Sequence, residues 1–345
     1  MRKLLGGLLF LLAGSISFAQ DLSNKGKEFW LVFPAHVPSS GQAQMGLFIT
    51  SDKNSAGTIS VNGWSTTFTV IANQVTGPID IPYWAANIGN VATVVNKGIN
   101  VKVNPGQPAV VLYAHIYAGF RSEASLILPV QTLGKKYYST NYFQASTGGS
   151  RSQFNIVATE PNTVVEYQLR VNGVLNPTVN SVNLPNVGDQ VQVQNAGDLT
   201  GSIIQSVASG SGGCKRIAVF SGSSAIAISS NNCNGGSYDP LFQQCYSTNT
   251  WGKTFGIVPL LNNPSGYHLR VMAMEDNTTV DFNGTNIVLN AGEYYPASNQ
   301  FAVPFTGPME IKGDKPISVS QYMMSAACTG SSNAPGQSNQ QGDPD

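Results

Sequence analysis

Four cysteines, three histidines and 18 acidic residues are the groups in this 345-residue chain that could carry chemistry. Cys214, Cys233, Cys245 and Cys328 include no C-x-x-C pair and have no histidine beside them, which argues against zinc. In a chain that begins with an export signal they read as disulfide partners, with three connectivities open. Cys233 with Cys245 is the favoured bridge, closing a short loop rich in Asn and Gly, and Cys214 and Cys328 are left to join or stay reduced. A loop near a dozen residues is worth on the order of 3 kcal/mol in the chain-entropy model.

A catalytic histidine needs a nucleophile and an orienting acid. Nothing in the sequence places such partners around His36, His115 or His268, so each is read as a hydrogen-bonded structural side chain. No G-x-S-x-G, H-E-x-x-H, Walker or G-x-G-x-x-G pattern occurs. The glycine-rich stretch 210–213 precedes a strand rather than a helix and so offers no free N–H groups to a phosphate. Paired carboxylates would suit a glycosidase, but Glu160 and Glu275–Asp276 occupy equivalent turns of a repeat, where a structural role explains both. No catalytic residue and no cofactor is expected. Calcium at those turns is the one candidate, and no D-x-D-x-D-G loop supports it. Among the aromatics, Trp64 and Trp84 lie beside turns and are the residues expected to be exposed and to touch a ligand, by stacking on sugars or anchoring a partner.

These groups must be held by strands. Charged residues make up 10% of the chain, against roughly 25% in an ordinary domain, and 18 basic residues balance 18 acidic ones. That balance leaves no basic stripe for nucleic acid. A 41% hydrophobic content excludes intrinsic disorder, and the shortage of Glu, Lys, Arg and Leu excludes helical bundles. Gly-Lys-x-aromatic recurs at Gly26, Gly134 and Gly252. FNIVATEPNTVVEY (Phe154 to Tyr167) aligns without gaps on LRVMAMEDNTTVDF (Leu269 to Phe282), pairing Asn162 with Asn277 at a tight turn. The alternation on either side has the period of a half-buried strand, and the unit reads as a repeated β-hairpin. The fold expected is all-β, with three tandem sandwich-like modules over residues 20–130, 131–250 and 251–328. The alternative is a closed propeller-like ring with two blades per repeat.

The ends carry separate signals. Arg2 and Lys3, the apolar stretch Leu4 to Ile16 and Ser17-Phe18-Ala19 read as a signal peptide over residues 1–19. No second run is long enough to span a membrane. Residues 329–345 read as a linker or disordered tail, after which the natural chain is expected to continue.

The string from Lys25 to Pro34, with LILPVQTLGKKYY (Leu126 to Tyr138), GDLTGSII (Gly197 to Ile204), IAVFSG (Ile217 to Gly222) and NTWGKTFGIVP (Asn249 to Pro259), resembles the N-terminal domain of IgGFc-binding proteins from about residue 24 to the end. Versions of that domain occur in animal mucus proteins and in secreted surface proteins of Bacteroidota. The bacterial members commonly carry a type IX secretion sorting domain downstream, which this sequence does not contain. Where the family commonly has Cys-Asp before Leu-x-Glu-Gln, this chain has Tyr238-Asp239-Pro240-Leu241-Phe242-Gln243-Gln244, so the family's bridge does not carry over. Fc binding was ascribed to a mucus protein with further cysteine-rich domains and is not transferred. The resemblance implies a non-enzymatic, secreted cell-surface binding or adhesion protein that touches extracellular proteins or mucin-like glycans. A structural spacer or filament component, self-associating through uncharged edge strands, is the second reading; a polysaccharide hydrolase is the third.

Overall fold

The computed structural model describes residues 23–38, 40–90, 92–143, 149–210, 212–228, 238–260, 266–296, 304–325 and 328. The signal segment, Cys233 and the tail from Thr329 lie outside the described residues. Apart from a helical turn, α1 (Tyr83–Ala86), and two 3-10 turns, the regular structure among them is strand. No described helix is long and apolar enough to cross a membrane.

Strands β1 (Glu28–Leu31), β2 (Gln44–Thr50), β3 (Ser55–Val61), β4 (Trp64–Val70), β5 (Val75–Asp80), β6 (Val95–Asn96), β7 (Ile99–Val103), β8 (Val111–Tyr117) and β9 (Ser122–Ile127) come first. They are followed by β10 (Lys136–Tyr138), β11 (Ser152–Ala158), β12 (Thr163–Val171), β13 (Val174–Leu184), β14 (Asp189–Asn195), β15 (Ile203–Val207), β16 (Ile217–Ile226) and β17 (Asp239–Gln244). The last are β18 (Gly252–Ile257), β19 (Tyr267–Ala273), β20 (Thr278–Phe282), β21 (Thr285–Leu289), β22 (Tyr294–Tyr295) and β23 (Met309–Met323).

One pairing order recurs. The sheet β1-β7-β3-β4 has the same connectivity as β10-β15-β12-β13 and as β18-β23-β20-β21. Likewise β5-β2-β8-β9 matches β14-β11-β16-β17 and β22-β19-β23. In the third unit the long β23 joins both halves into one six-stranded sheet, its start pairing with β18 and β20 and its end with β19, and the sheet folds over on itself. Each pair closes over one core. Phe29, Ile59 and Val101 from one sheet meet Leu47, Leu112 and Ile127 from the other; Tyr137, Val165 and Ile204 meet Phe154, Ile156 and Val219; Val280, Phe282 and Ile311 meet Leu269 and Val271. Two faces closing on each other are sandwich packing, not the radial blades of the ring alternative.

The repeated turn differs from the expected hairpin. Asn162 and Asn277 do adopt left-handed φ, +53° and +52°, and Thr163 and Thr278 donate equivalent hydroxyl bonds to the carbonyls of Glu160 and Glu275 at 2.7 Å. The strands on either side, however, do not pair with each other. At Asn162 they belong to different sheets, β11 pairing with β14 and β16 and β12 with β13 and β15, and at Asn277 β19 and β20 pair with opposite ends of β23. The turn is an arch over the core. The tight hairpins sit one strand later, at Asn62-Gly63, Asn172-Gly173 and Asn283-Gly284, where both residues have positive φ as a two-residue type I′ turn requires.

The Gly-Lys-aromatic strands start where the chain leaves each sandwich. A Cβ on Gly26 would lie 2.0 Å from Pro129 Cβ, and one on Gly134 would lie 2.5 Å from Ser247 Cβ, so the exit segment packs directly on each glycine. Gly252 has nothing within 3.4 Å, and its equivalent exit falls largely among undescribed residues. Phe29 and Tyr137 are fully buried in their cores, and Phe255 packs against the third.

Candidate binding cleft

The outward faces of β11, β16 and β19 are buried too, because successive sandwiches stack on one another. Val157, Ala218, Phe220 and Phe242 belong to the first core although they lie on the second sheet pair, with Phe242 between Phe220 (ring centroids 5.7 Å apart) and Phe33 (6.0 Å). Buried amides satisfy the loop that covers this face. Gln192 Oε1 accepts from Ala35 N at 2.9 Å, and Gln153 Nε2 donates to Ala35 O at 2.6 Å. β6 also leaves the first sandwich to pair with β14 at the edge of the second.

At the next junction Arg270, projecting from β19, meets Asp198 at 2.7 Å, with side chains 4% and 0% exposed. The guanidinium lies 4.6 Å from both the Tyr142 and Tyr294 ring centroids and donates to Asn141 O at 3.0 Å. Tyr322 donates its hydroxyl to the same carbonyl at 2.7 Å. Burial pushes the Tyr142 and Tyr294 hydroxyls up to about 12, and the adjacent carboxylate of Asp198 adds to the shift. The Arg270 guanidinium is desolvated, yet Asp198 and the surrounding tyrosines hold it firmly charged.

Where β9, β16, β17 and β23 converge, a cleft of about 390 Å³ opens between the stacked sandwiches. Gln244 ends β17 and is fully buried. Its Oε1 accepts from Leu128 N at 2.6 Å and its backbone N–H donates to Ser125 Oγ at 3.0 Å, while its Nε2 has no partner. That leaves one buried, unpaired amide donor on a residue lining the cleft. Tyr246 is half exposed at the cleft, and Trp251 donates its indole N–H to Tyr246 O at 3.2 Å while packing on Tyr138 at 5.5 Å. Ser318, Ser320 and Gln321 of β23 supply the opposite wall.

The cleft's chemistry is that of contact. Cys245 lines it, but burial raises its thiol to about 11, so no thiolate forms at neutral pH; Ser221 Oγ lies 2.9 Å away with no histidine near it. Among the described residues of the lining Glu123 is the single acid, so they do not assemble the paired carboxylates of a glycosidase. Glu160, Glu275 and Asp276 are exposed on their turns. Among the described residues no three His, Cys, Asp or Glu side chains converge.

Trp84 is 61% exposed on α1, with its carbonyl accepting from Lys97 Nζ. Trp64 is only partly buried, not open: it follows the Asn62-Gly63 turn and shares a second, shallow cleft of about 440 Å³ with Trp30, Ser60 and Asn96. Trp84 lines neither cleft, so the two tryptophans are not brought together.

The favoured cysteine pairing is also corrected. Cys245 and Cys214 are free thiols, Cys245 because its side chain turns into the second core beside Ser221 rather than outward to a loop partner. Cys328 is disulfide-bonded, so Cys214 and Cys328 neither join nor both stay reduced. We expect a membrane-impermeant alkylating reagent to label the partly exposed Cys214 in the native protein and to reach Cys245 only on unfolding, as read by intact mass. Equal labelling of both would show that Cys245 is not shielded.

Sequence reasoning missed Gln244, Tyr246 and Arg270. Gln244 and Tyr246 flank Cys245, and the only local signal was the run of polar and aromatic residues after Pro240.

No curated protein and no solved structure matches the chain. The family model described as IgGFc binding protein matches residues 123–345, a shorter span than the resemblance from residue 24 implied, leaving most of the first sandwich outside it. The matched span runs from Glu123, the second residue of β9, through β23, holds every described residue that lines the 390 Å³ cleft, and covers well over half of the sequence. The chain therefore belongs to the IgGFc-binding protein family, a family of binding proteins.

Proposed function

We propose that the chain is a non-enzymatic, secreted adhesion protein of three sandwich modules, with seams near residues 130 and 250, that grips neutral glycans or glycan-bearing proteins such as mucins. The observation that carries this reading is the unpartnered, buried Gln244 amide beside exposed Tyr246 in a cleft almost without charge. A ligand rich in hydroxyl and carbonyl groups accepts from that amide and stacks on the ring, with little electrostatic steering. Neither fixed charge nor a metal is needed for such recognition.

Tyr246→Ala is expected to weaken binding to immobilised mucin glycans about 30-fold, the loss of one aromatic anchor worth roughly 2 kcal/mol. The melting temperature should stay within a degree or two, since the ring is half exposed. Unchanged affinity in surface plasmon resonance would move the site elsewhere, and Trp64→Ala in the shallow cleft is the matched control.

The buried junctions between sandwiches favour a second reading, a spacer that holds a distal partner away from the cell. It predicts no saturable glycan binding by the wild-type chain.

A further inference from the structure

The outward face of the β14-β11-β16-β17 sheet is covered by the loop after β1, through Phe33, Ala35 and Val37. The outward face of β22-β19-β23 is covered by the corresponding loop after β10, through Asn141 and Tyr142. The first sandwich has the same face on β5-β2-β8-β9, and there it stands open. Tyr113 and Tyr117 on β8 are 42% and 47% exposed. Gly46 lies opposite His115 and leaves a hollow of about 200 Å³, walled by Phe48, Pro78, Asp80 and Tyr117.

Register makes the equivalence specific. Tyr117 stands opposite Gln44 on β2 as Tyr322 stands opposite His268 on β19, Gln44 coming one residue before the core residue Met45 and His268 one before the core residue Leu269. Tyr322 gives its hydroxyl to the carbonyl of the covering loop. Gln44 in turn holds the position of Gln153, whose amide donates to the Ala35 carbonyl. The donors that bind a covering loop are thus in place on the open face. The matching loop of the third sandwich follows β18, and its described residues begin with Val258, 70% exposed, then Pro259 and Leu260.

We propose that the open face of β5-β2-β8-β9 receives the Val258–Leu260 loop of a second copy of this chain, head to tail, repeating the junction found twice within one molecule. This contact is independent of the glycan cleft. Because donor face and acceptor loop lie on different sandwiches, the contact is heterologous: each copy keeps a free face or loop for a third, and the assembly grows as an open chain or closes into a ring of copies.

Sedimentation velocity of the whole chain over a concentration series tests this. Wild-type protein is expected to form species larger than dimers with rising concentration. Tyr117→Arg on the face and Val258→Glu in the loop should each weaken association at least tenfold. Mixed together, the two variants should recover a 1:1 dimer that grows no further, because one keeps the face and the other keeps the loop. Circular dichroism and melting checks show whether each variant is folded. A wild-type chain that stays monomeric at its solubility limit overturns the proposal, and so does a dimer that both variants leave intact or a mixture that recovers nothing.

Discussion

Replacing Arg270 with methionine is expected to lower unfolding stability by about 3–5 kcal/mol, because Asp198 is left charged and buried without its counter-ion. The loss should show as a fall in the denaturant midpoint. Asp198 keeps its bonds from Thr200 N (2.9 Å) and Thr200 Oγ1 (2.6 Å), which soften the penalty without neutralising the charge. The double variant Arg270→Met, Asp198→Asn is therefore expected to be more stable than Arg270→Met alone, a non-additivity that reports direct coupling. Arg270→Lys should not rescue, since an ammonium lacks the planar, forked guanidinium that sits 4.6 Å from both the Tyr142 and Tyr294 rings while donating to Asp198 and Asn141. The same cluster sets an alkaline limit. Tyr142 and Tyr294 are raised in the folded state from 10.0 to about 12, chiefly by burial. Their contribution is complete below pH 10 and is lost as pH climbs through 12, where the fold must either ionise them in place or release them. Insensitivity of the midpoint to both substitutions would mean that the junction adds nothing to stability.

Phe242→Ala should cost about 3–5 kcal/mol, the price of a buried phenyl ring in a packed site. The ring sits on β17 of the second sheet pair but belongs to the first core, between Phe33 and Phe220. The expected signature is accordingly more than a lower midpoint. Loosening this contact should separate the melting of the first sandwich from the rest, turning one calorimetric transition into two. A single transition shifted by less than 1 kcal/mol would show that the amide bonds of Gln153 and Gln192 hold the junction without it.

Local pattern made much of the fold legible. The alternation in FNIVA and LRVMA named the strands, the Asn at the repeated turn took left-handed geometry, and the all-β class followed from composition. The same pattern could not say which sheet a strand joins. The Asn162 and Asn277 turns read as hairpins because hairpins and arches share their residue chemistry, whereas the Asn-Gly pairs, a sharper hairpin signal, stood one strand further on. Alternation also marks a face as polar without telling whether water or another sandwich lies on it. Gln153, Asn155 and Arg270 look like solvent residues in the sequence, yet all three are buried. Gln153 and Arg270 are covered by loops more than a hundred residues away, through Ala35 and Asn141, and Asn155 bonds Gln190 and Gln192 across the sheet. The cleft follows the same logic, since its walls come from β9, β17 and β23, and only stacking brings them within reach. Cys245 was paired with its nearest neighbour in sequence, but the pleat of the chain beyond β17 turns it inward.

The short strand β6 carries a practical lesson about where this protein can be cut. Expressing the family-matched span alone would strip a donated edge from β14 and bare the greasy surface of Val157, Ala218, Phe220 and Phe242. A piece that stays in solution therefore has to keep the first sandwich and begin upstream of Gly26, whose backbone pairs with Val110.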